Sequence, residues 1–233
     1  HQNTESSAPS KDLFDRHAHH YNDPIPPHVQ EHYLQKRLRF FEALQTGGSV
    51  LDTGCGTGVM TEHLEGHGYL AFGTDESLEM LRQGRLAGKR LIQGELTCLP
   101  FPSGSFDMVL NIAVLHHVGD APRIERSIAE MVRVANPGGK IIIWDHNPIN
   151  PYWKFFMKKL PWDNHVHRLI PLKEIQNGFL NAGIAKIQSF HLGLMPDFAR
   201  KEHLGFWRTL ETLMESSFLT RWLCAHHVVV GYK

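Results

Sequence analysis

Residues Val50 to Met60, VLDTGCGTGVM, set three glycines at alternate positions directly after an apolar run. A strand that feeds a glycine-rich turn and then a helix aims backbone N–H groups at the C-terminal edge of a sheet, where open α/β sheets bind ligands. Glycine lets that backbone touch the ligand closely. The neighbouring residues narrow the choice of ligand. A dinucleotide fingerprint would demand glycine at position 59, which is Val59, and a P-loop would demand Lys and then Ser or Thr where Val59 and Met60 stand. Asp75 closes the next apolar run, roughly 20 residues past Gly54, where a carboxylate can accept from both hydroxyls of a ribose. The loop therefore points to a nucleoside without strong phosphate demands.

Outward from this loop, strand-like and helical patterns alternate. Upstream, KDLFDRHAHHYNDPIPP (11–27) predicts a short helix ended by a proline-rich turn. HVQEHYLQKRLRFFEAL (28–44) then spaces Val29, Tyr33, Leu34, Leu38, Phe41 and Leu44 helically, with Gly47 and Gly48 as its stop. Downstream, SVLDTG (49–54), YLAFGTD (69–75), KRLIQGE (89–95), the run 106–111 and KIIIWDH (140–146) read as strands. Between them lie helical GVMTEHLEGHG (58–68), SLEMLRQGRLAG (77–88) and PRIERSIAEMVRVANPGG (122–139). Such alternation implies βαβ units and a parallel sheet, and a continuous apolar run such as Ile141 to Trp144 suits a sheet covered on both faces.

Past Asn147 the text turns proline- and aromatic-rich. It then resumes with helical 172–183, strand 184–192, helical 204–223 and a closing strand, AHHVVVGYK (225–233). The expected fold class is α/β: a Rossmann-like, mostly parallel seven-stranded sheet with helices on both faces, plus a small aromatic-rich cap. Residues 1–46 form an N-terminal helical segment, 47–147 a ligand-binding core, and 148–233 the cap insertions and closing strands of the same single domain.

A chain of 233 residues can bury a full core without staples. Lys plus Arg and Asp plus Glu both number 24, so no electrostatic footprint for a polyanion exists and a nucleic-acid partner is not expected. Three cysteines without metal-type pairing suit a reducing compartment, so the expected location is cytoplasmic, as a monomer or homodimer. The polar start HQNTESSAPSK does not read as a signal peptide, and no apolar run of about 18 residues predicts an integral membrane segment. The 17 histidines show no ligand spacing on one helix face, so no metal is expected.

In LDTGCGTG (51–58), GTDES (73–77), GELTCLPFPSGSFDMVL (94–110), VLHHV (114–118) and RVANPGGKIII (133–143), the sequence resembles the class I S-adenosylmethionine-dependent methyltransferases over most of residues 14–146. The resemblance implies S-adenosyl-L-methionine as cofactor. It implies that Asp52, Gly54, Cys55, Gly56 and Gly58 cradle the methionine moiety, Asp75 the ribose, and Glu95 and Leu96 the adenine edge. The family usually has Asp where Glu95 stands, so one methylene of reach is added. FDRHAHHYN (14–22) resembles the segment that folds over the cofactor, with Tyr21 near the sulfonium, and Arg37 is a candidate for the cofactor carboxylate. Cys55 has no base paired with it in sequence and reads as a packing residue rather than a nucleophile.

Methyl transfer from a sulfonium is an in-line displacement, which needs a base only when the acceptor must lose a proton. Residues just past the ends of the fourth and fifth strands face the pocket in such sheets, which selects Asn111, His116, His117, Asp145 and His146. His116 and His146 are the candidate catalytic bases for a hydroxyl, His146 preferred because it opens the variable cap, and His117 reads as structural. NPINPY (147–152) imitates an amino-methyltransferase motif but follows the wrong strand. Tyr152, Trp153, Phe155, Phe156 and Trp162, with Phe198, Phe206, Trp207, Phe218 and Trp222, could line a small-molecule pocket or simply pack the cap. The expectation is a small, partly apolar acceptor methylated at oxygen. The alternatives are RNA, protein or lipid acceptors on the same fold, a non-methylating cofactor-binding module, and a NAD-dependent dehydrogenase.

Overall fold

The computed structural model describes residues 9–21, 25–85, 90–156 and 168–233. Helix α1 (Pro9–His17) runs into a 3-10 turn (Ala18–His20) and precedes α2 (Pro27–Leu44). The alternating part follows as β1 (Gly48–Thr53), α3 (Val59–Gly66), β2 (Tyr69–Asp75), α4 (Leu78–Arg85), β3 (Leu91–Gln93), β4 (Phe106–Ile112), α5 (Leu115–Val118), α6 (Ala121–Val134) and β5 (Ala135–His146). The chain closes with α7 (Pro151–Phe156), α8 (Leu172–Asn181), β6 (Lys186–Leu192), α9 (Leu204–Ser216) and β7 (His226–Tyr232).

The seven strands lie in the order β3-β2-β1-β4-β5-β7-β6. All pairings are parallel except those of β7, which runs antiparallel to both β5 and β6. From β1 the chain moves outward through β2 and β3, then returns to β4 on the other side of β1. The strand order reverses there, and the C-terminal ends of β1 and β4 border a crevice of the kind that holds ligands in doubly wound sheets.

Successive side chains on a strand point to opposite faces, so each central strand feeds two cores. Leu51, Val109, Ile141, Ile143 and Val229 meet Ile124, Ile128, Met131, Ile175 and Phe179 from α6 and α8. Val50, Met108, Leu110, Ile142, Trp144, Val228 and Val230 meet Leu38, Phe41, Met60 and Leu64 from α2 and α3. Each fully buried side chain of this kind contributes about 1.5–3 kcal/mol. Helix α2 starts with Pro27 in its first turn, where a missing N–H costs nothing, and buries Val29, Leu38 and Phe41 along its predicted stripe.

Element ends depart from the sequence reading in three places. The helix expected to run through Gly139 stops at Val134. Pro137 cannot continue it, Gly138 has a φ of 81°, and Ala135 already pairs with Phe106 as the start of β5. The third strand shrinks to Leu91–Gln93. The helix expected through Leu223 ends at Ser216, whose hydroxyl donates back to the Leu213 carbonyl at 3.0 Å, a bond that competes with helix continuation.

A buried ionic knot fastens the cap to α2. Glu211 of α9 accepts from Lys36 at 2.8 Å and from the Leu194 N–H at 2.7 Å, and lies 3.0 Å from His32 Nε2. Burial alone would raise its carboxyl, but His32 and Lys36 outweigh that and hold it at about 2. A depressed carboxyl contributes stability that is present above its unfolded pKa, near 4.5, and is lost as pH falls toward the folded value. Glu211→Gln is therefore expected to lower stability by about 3 kcal/mol at pH 7, and the difference from the parent should shrink between pH 4.5 and pH 2. Denaturant melts at both ends of that window check it.

Candidate functional site

The glycine loop between β1 and α3 is held by the end of β2. The Gly54 and Cys55 N–H groups donate to the Thr74 carbonyl at 2.7 and 3.0 Å, and the Gly56 N–H donates to Asp75 Oδ2 at 2.8 Å. The other oxygen of Asp75 accepts from the Ser77 N–H at 2.9 Å, at the start of α4. One carboxylate thus ties the loop, the strand end and the next helix together. Gly54 has a φ of 71°, and a Cβ there would fall 2.4 Å from Val114 Cγ2. Backbone conformation and space both require glycine.

Two cavities open at this edge of the sheet, of about 460 and 530 Å³. Both are lined by Tyr21, Gly54, Gly56, Ile112, Ala113 and His117, so they meet there. Ala113 has a φ of 56°, the single positive value at a non-glycine residue among the described residues. Backbone strain of this kind collects at functional sites. The first cavity continues past Arg37, Asp52 and Cys55 to His116, His146, Trp153, Asp197 and His226. The second is walled by Asp75, Glu95, Leu96, Thr97 and Arg123. The N-terminal segment closes over the junction. Phe14 stands edge-on to Tyr21 and His117, with ring centroids 6.0 and 5.1 Å apart, and Asp15 accepts from the Ser77 hydroxyl at 2.5 Å.

The charged groups here are desolvated. Burial pushes Asp52 up to about 7, although the Thr61 hydroxyl donates to it at 3.3 Å, and pushes Asp75 up to about 6. Burial also lowers Arg37, whose guanidinium lies 5.7 and 5.9 Å from the ring centres of Tyr33 and Trp144. Among the described residues no carboxylate lies within ion-pair distance of Arg37.

Beyond these groups is a cluster of imidazoles. His116 Nδ1 lies 2.7 Å from Asp145 Oδ1, with both side chains buried. Burial alone would raise Asp145, but His116 and the His146 N–H hold it below the usual carboxylate range. His146 stacks on Trp153 with centroids 3.7 Å apart. Burial and the neighbouring histidines drive it well below the ordinary imidazole value. His226, pushed down to about 3 chiefly by burial, completes the wall.

Most expected site residues come together. Asp52, Gly54, Cys55, Gly56, Tyr21 and Arg37 surround the first cavity or the junction, and Asp75, Glu95 and Leu96 the second. Three do not line either cavity, and of these Asp145 is buried behind His116. Asn111 is fully buried within the sheet, donating to Thr53 Oγ1 at 3.0 Å, because alternation turns its side chain inward rather than toward the strand end. Gly58 is the turn residue that opens α3. Of the aromatic cap, Tyr152, Trp153, Phe198 and Trp207 line the first cavity, while Phe206, Phe218 and Trp222 are exposed. Trp162 and the side chains of Phe155 and Phe156 lie outside the described residues.

Sequence reasoning passed over His226, His227 and Asp197. The doublet His226–His227 opens β7, and the antiparallel register sets His146 opposite His226 and Asp145 opposite His227. The polar start of an apolar closing strand was the available signal, but its pairing was not.

Residues 51–143 match the family described as "Methyltransferase domain". The chain is similar to the demethylmenaquinone methyltransferase of Corynebacterium urealyticum, 35% identical over 138 residues that cover 57% of this chain and 59% of that protein. It is similar to the tRNA (carboxymethyluridine(34)-5-O)-methyltransferase of Arabidopsis thaliana, 31% identical over 132 residues, 55% of this chain and 32% of that protein. The chain thus spans between a third and three-fifths of the length of these relatives. The fold matches the crystal structure of an S-adenosylmethionine-dependent methyltransferase from Thermotoga maritima. That match has a TM-score of 0.70 and 18% identity, and covers 95% of this chain and 99% of that one.

Gly54→Ala forces an L side chain into a left-handed backbone and against Val114. The expected result is a loss of about 1–3 kcal/mol of stability and at least a tenfold loss of nucleoside affinity, read by thermal melts with and without ligand.

Proposed function

We propose that the chain, whose residues 51–143 match a methyltransferase domain, is a class I S-adenosylmethionine-dependent methyltransferase that methylates a hydroxyl of a small, partly apolar acceptor, with His116 taking the proton. The observation that carries this reading is His116 in the wall of the first cavity, paired on its far side with buried Asp145.

The residues fit the cofactor in charge and shape. Buried Asp52 and half-buried Asp75, both raised toward neutrality, and the half-buried Arg37 guanidinium with no carboxylate within ion-pair distance, are sites with unused electrostatic capacity. Arg37 would pair with the carboxylate of the methionine end and Asp52 would accept from its ammonium, with the loop at Gly54–Gly56 beneath. Asp75 holds two backbone N–H groups, and a carboxylate has about four lone-pair sites, which leaves two for the ribose hydroxyls. Glu95 spends one oxygen on Thr97 and Arg123 and would turn the other to the adenine edge above Leu96. Tyr21, at the junction, and the segment at 14–21 would cover the sulfur and exclude water. S-adenosylmethionine supplies the methyl group as an electrophile at its sulfonium.

For the acceptor hydroxyl, His116 is the better base of the two histidines. With Asp145 accepting from Nδ1–H, Nε2 is the ring's acceptor, and the carboxylate stabilises the imidazolium that forms. His146 is too weakly basic to compete, since burial and cationic neighbours disfavour its charged form. It is better suited, with Trp153, to forming the apolar floor of the acceptor end. The balanced charge of the chain favours a small molecule over RNA. The name of the Arabidopsis relative supplies the competing RNA reading.

The test is incubation with labelled S-adenosylmethionine and fractionated cell extract, followed by mass spectrometry. Label in a small hydroxylated metabolite supports the proposal, and label in the tRNA fraction replaces it. His116→Ala is expected to lower kcat by about 10²–10⁴ while cofactor affinity stays within about twofold, and His146→Ala to act mainly through KM. Cofactor affinity should also depend on pH. Protonation of Asp52 and Asp75 removes the negative charge that attracts an ammonium and turns one acceptor oxygen of each into a donor, so the Kd is expected to rise as pH falls through about 7 and then about 6. A flat titration from pH 8 to pH 5.5 would remove both carboxylates from the cofactor site.

A further inference from the structure

Among the described residues nine large apolar side chains are exposed, and six of them, Phe198, Phe206, Leu213, Phe218, Leu219 and Trp222, fall within residues 198–222. Such clustering departs from the single scattered exposures that are normal on a soluble surface. Helix α9 supplies part of it. Its inner side buries Glu211 and packs Trp207 beside Val29 and Met195, while Phe206, Leu210 and Leu213, at positions i, i+4 and i+7, share the outer side. The turn that follows presents Phe218 and Leu219, each 77% exposed, with Trp222 beside them.

The charge of the same segment is one-sided. Arg200, Lys201, Arg208 and Arg221 are exposed, against Glu202 as the exposed acid. The two remaining acids, Glu211 and Glu215, are turned inward onto Lys36. Arg221 also lies 5.0 Å from the ring centre of Phe218, so a cation and an aromatic are presented as one unit. An apolar face bordered by cations and ended by Phe, Leu and Trp matches the chemistry of an anionic membrane surface, where rings reach below the headgroups and cations meet phosphate.

The face is continuous with the acceptor cavity. Phe198 is 60% exposed and still lines that cavity, and Trp207 lines it from the other side of α9. We propose that residues 198–222 rest on an anionic phospholipid bilayer, with Phe218, Leu219 and Trp222 inserted and Arg200, Lys201, Arg208 and Arg221 at the phosphates. The cavity mouth then faces the lipid, and an apolar acceptor partitioned into the bilayer reaches the site without crossing bulk water. The proposed contact is peripheral, and no helix among the described residues is long and apolar enough to cross a membrane.

The test is co-sedimentation of the full chain with vesicles of phosphatidylcholine, alone or with phosphatidylglycerol. The protein is expected to pellet with the anionic vesicles, weakly with the neutral ones, and less as salt is raised. The variant carrying Phe218→Ser, Leu219→Ser and Trp222→Ser should bind the anionic vesicles at least about tenfold more weakly, with unchanged cofactor affinity and melting temperature. If that variant does not fold, Phe206→Ser with Leu213→Ser on the outer side of α9 asks the same question and should weaken binding in the same direction. Wild-type protein that stays in the supernatant with both vesicle types overturns the proposal, as does a folded variant that sediments like wild type. A wild-type dimer that the variant converts to monomer, without vesicle binding, assigns the face to a second copy of the chain instead.

Discussion

At the C-terminal ends of β1 and β4 the strands are locked together by side chains as well as by their ladder. Thr53 donates its hydroxyl to the Leu110 carbonyl at 2.7 Å, and Asn111 donates to Thr53 Oγ1 at 3.0 Å, both in the buried interior. Everything functional depends on this seam. Immediately after Thr53 the chain turns into the glycine loop, and immediately after Asn111 it turns through strained Ala113 toward His116 and His117. The two cavities meet where those turns face each other. The seam therefore fixes the distance between the wall proposed to hold the nucleoside and the wall proposed to hold the acceptor.

From that line the electrostatics divide. Toward β2 and β3 the wall offers carboxylates that also bond backbone N–H groups, as Asp75 does to Gly56 and Ser77, so the residues proposed to bind also serve as scaffold. Toward β5 and β7 the wall offers imidazoles. Two of them, His146 and His226, are kept neutral by burial, and one, His116, is aimed by a carboxylate. The same burial that raises an acid lowers an imidazole, so one physical cause sets both halves of the site.

The strand and helix order was legible in the sequence because the sheet is covered on both faces, which makes its strands continuous apolar runs between helical periods. The loop was legible because its glycines and Asp75 carry meaning by spacing, whereas Asp52 entered only through the family resemblance. Legibility failed where contacts are long-range. His226 faces His146 only through an antiparallel register that nothing local announces, and Asp197 reaches the site through hydrogen bonds with Tyr33 and Tyr152. Asn111 was misplaced for a simpler reason: a polar residue near a strand end can point inward, and here the Thr53 hydroxyl was waiting for it. The preference between His116 and His146 turns on partners that are distant in sequence: both rings are buried, but Asp145 sits against His116 while other imidazoles surround His146.

The central claim is that the paired cavities form one site for S-adenosylmethionine, and calorimetric titration of the unmodified chain tests it most directly. The account predicts saturable binding of one S-adenosylmethionine per chain at roughly micromolar affinity, with the demethylated product competing for the same site. No heat of binding with either compound, or binding of NADH in their place, would contradict it.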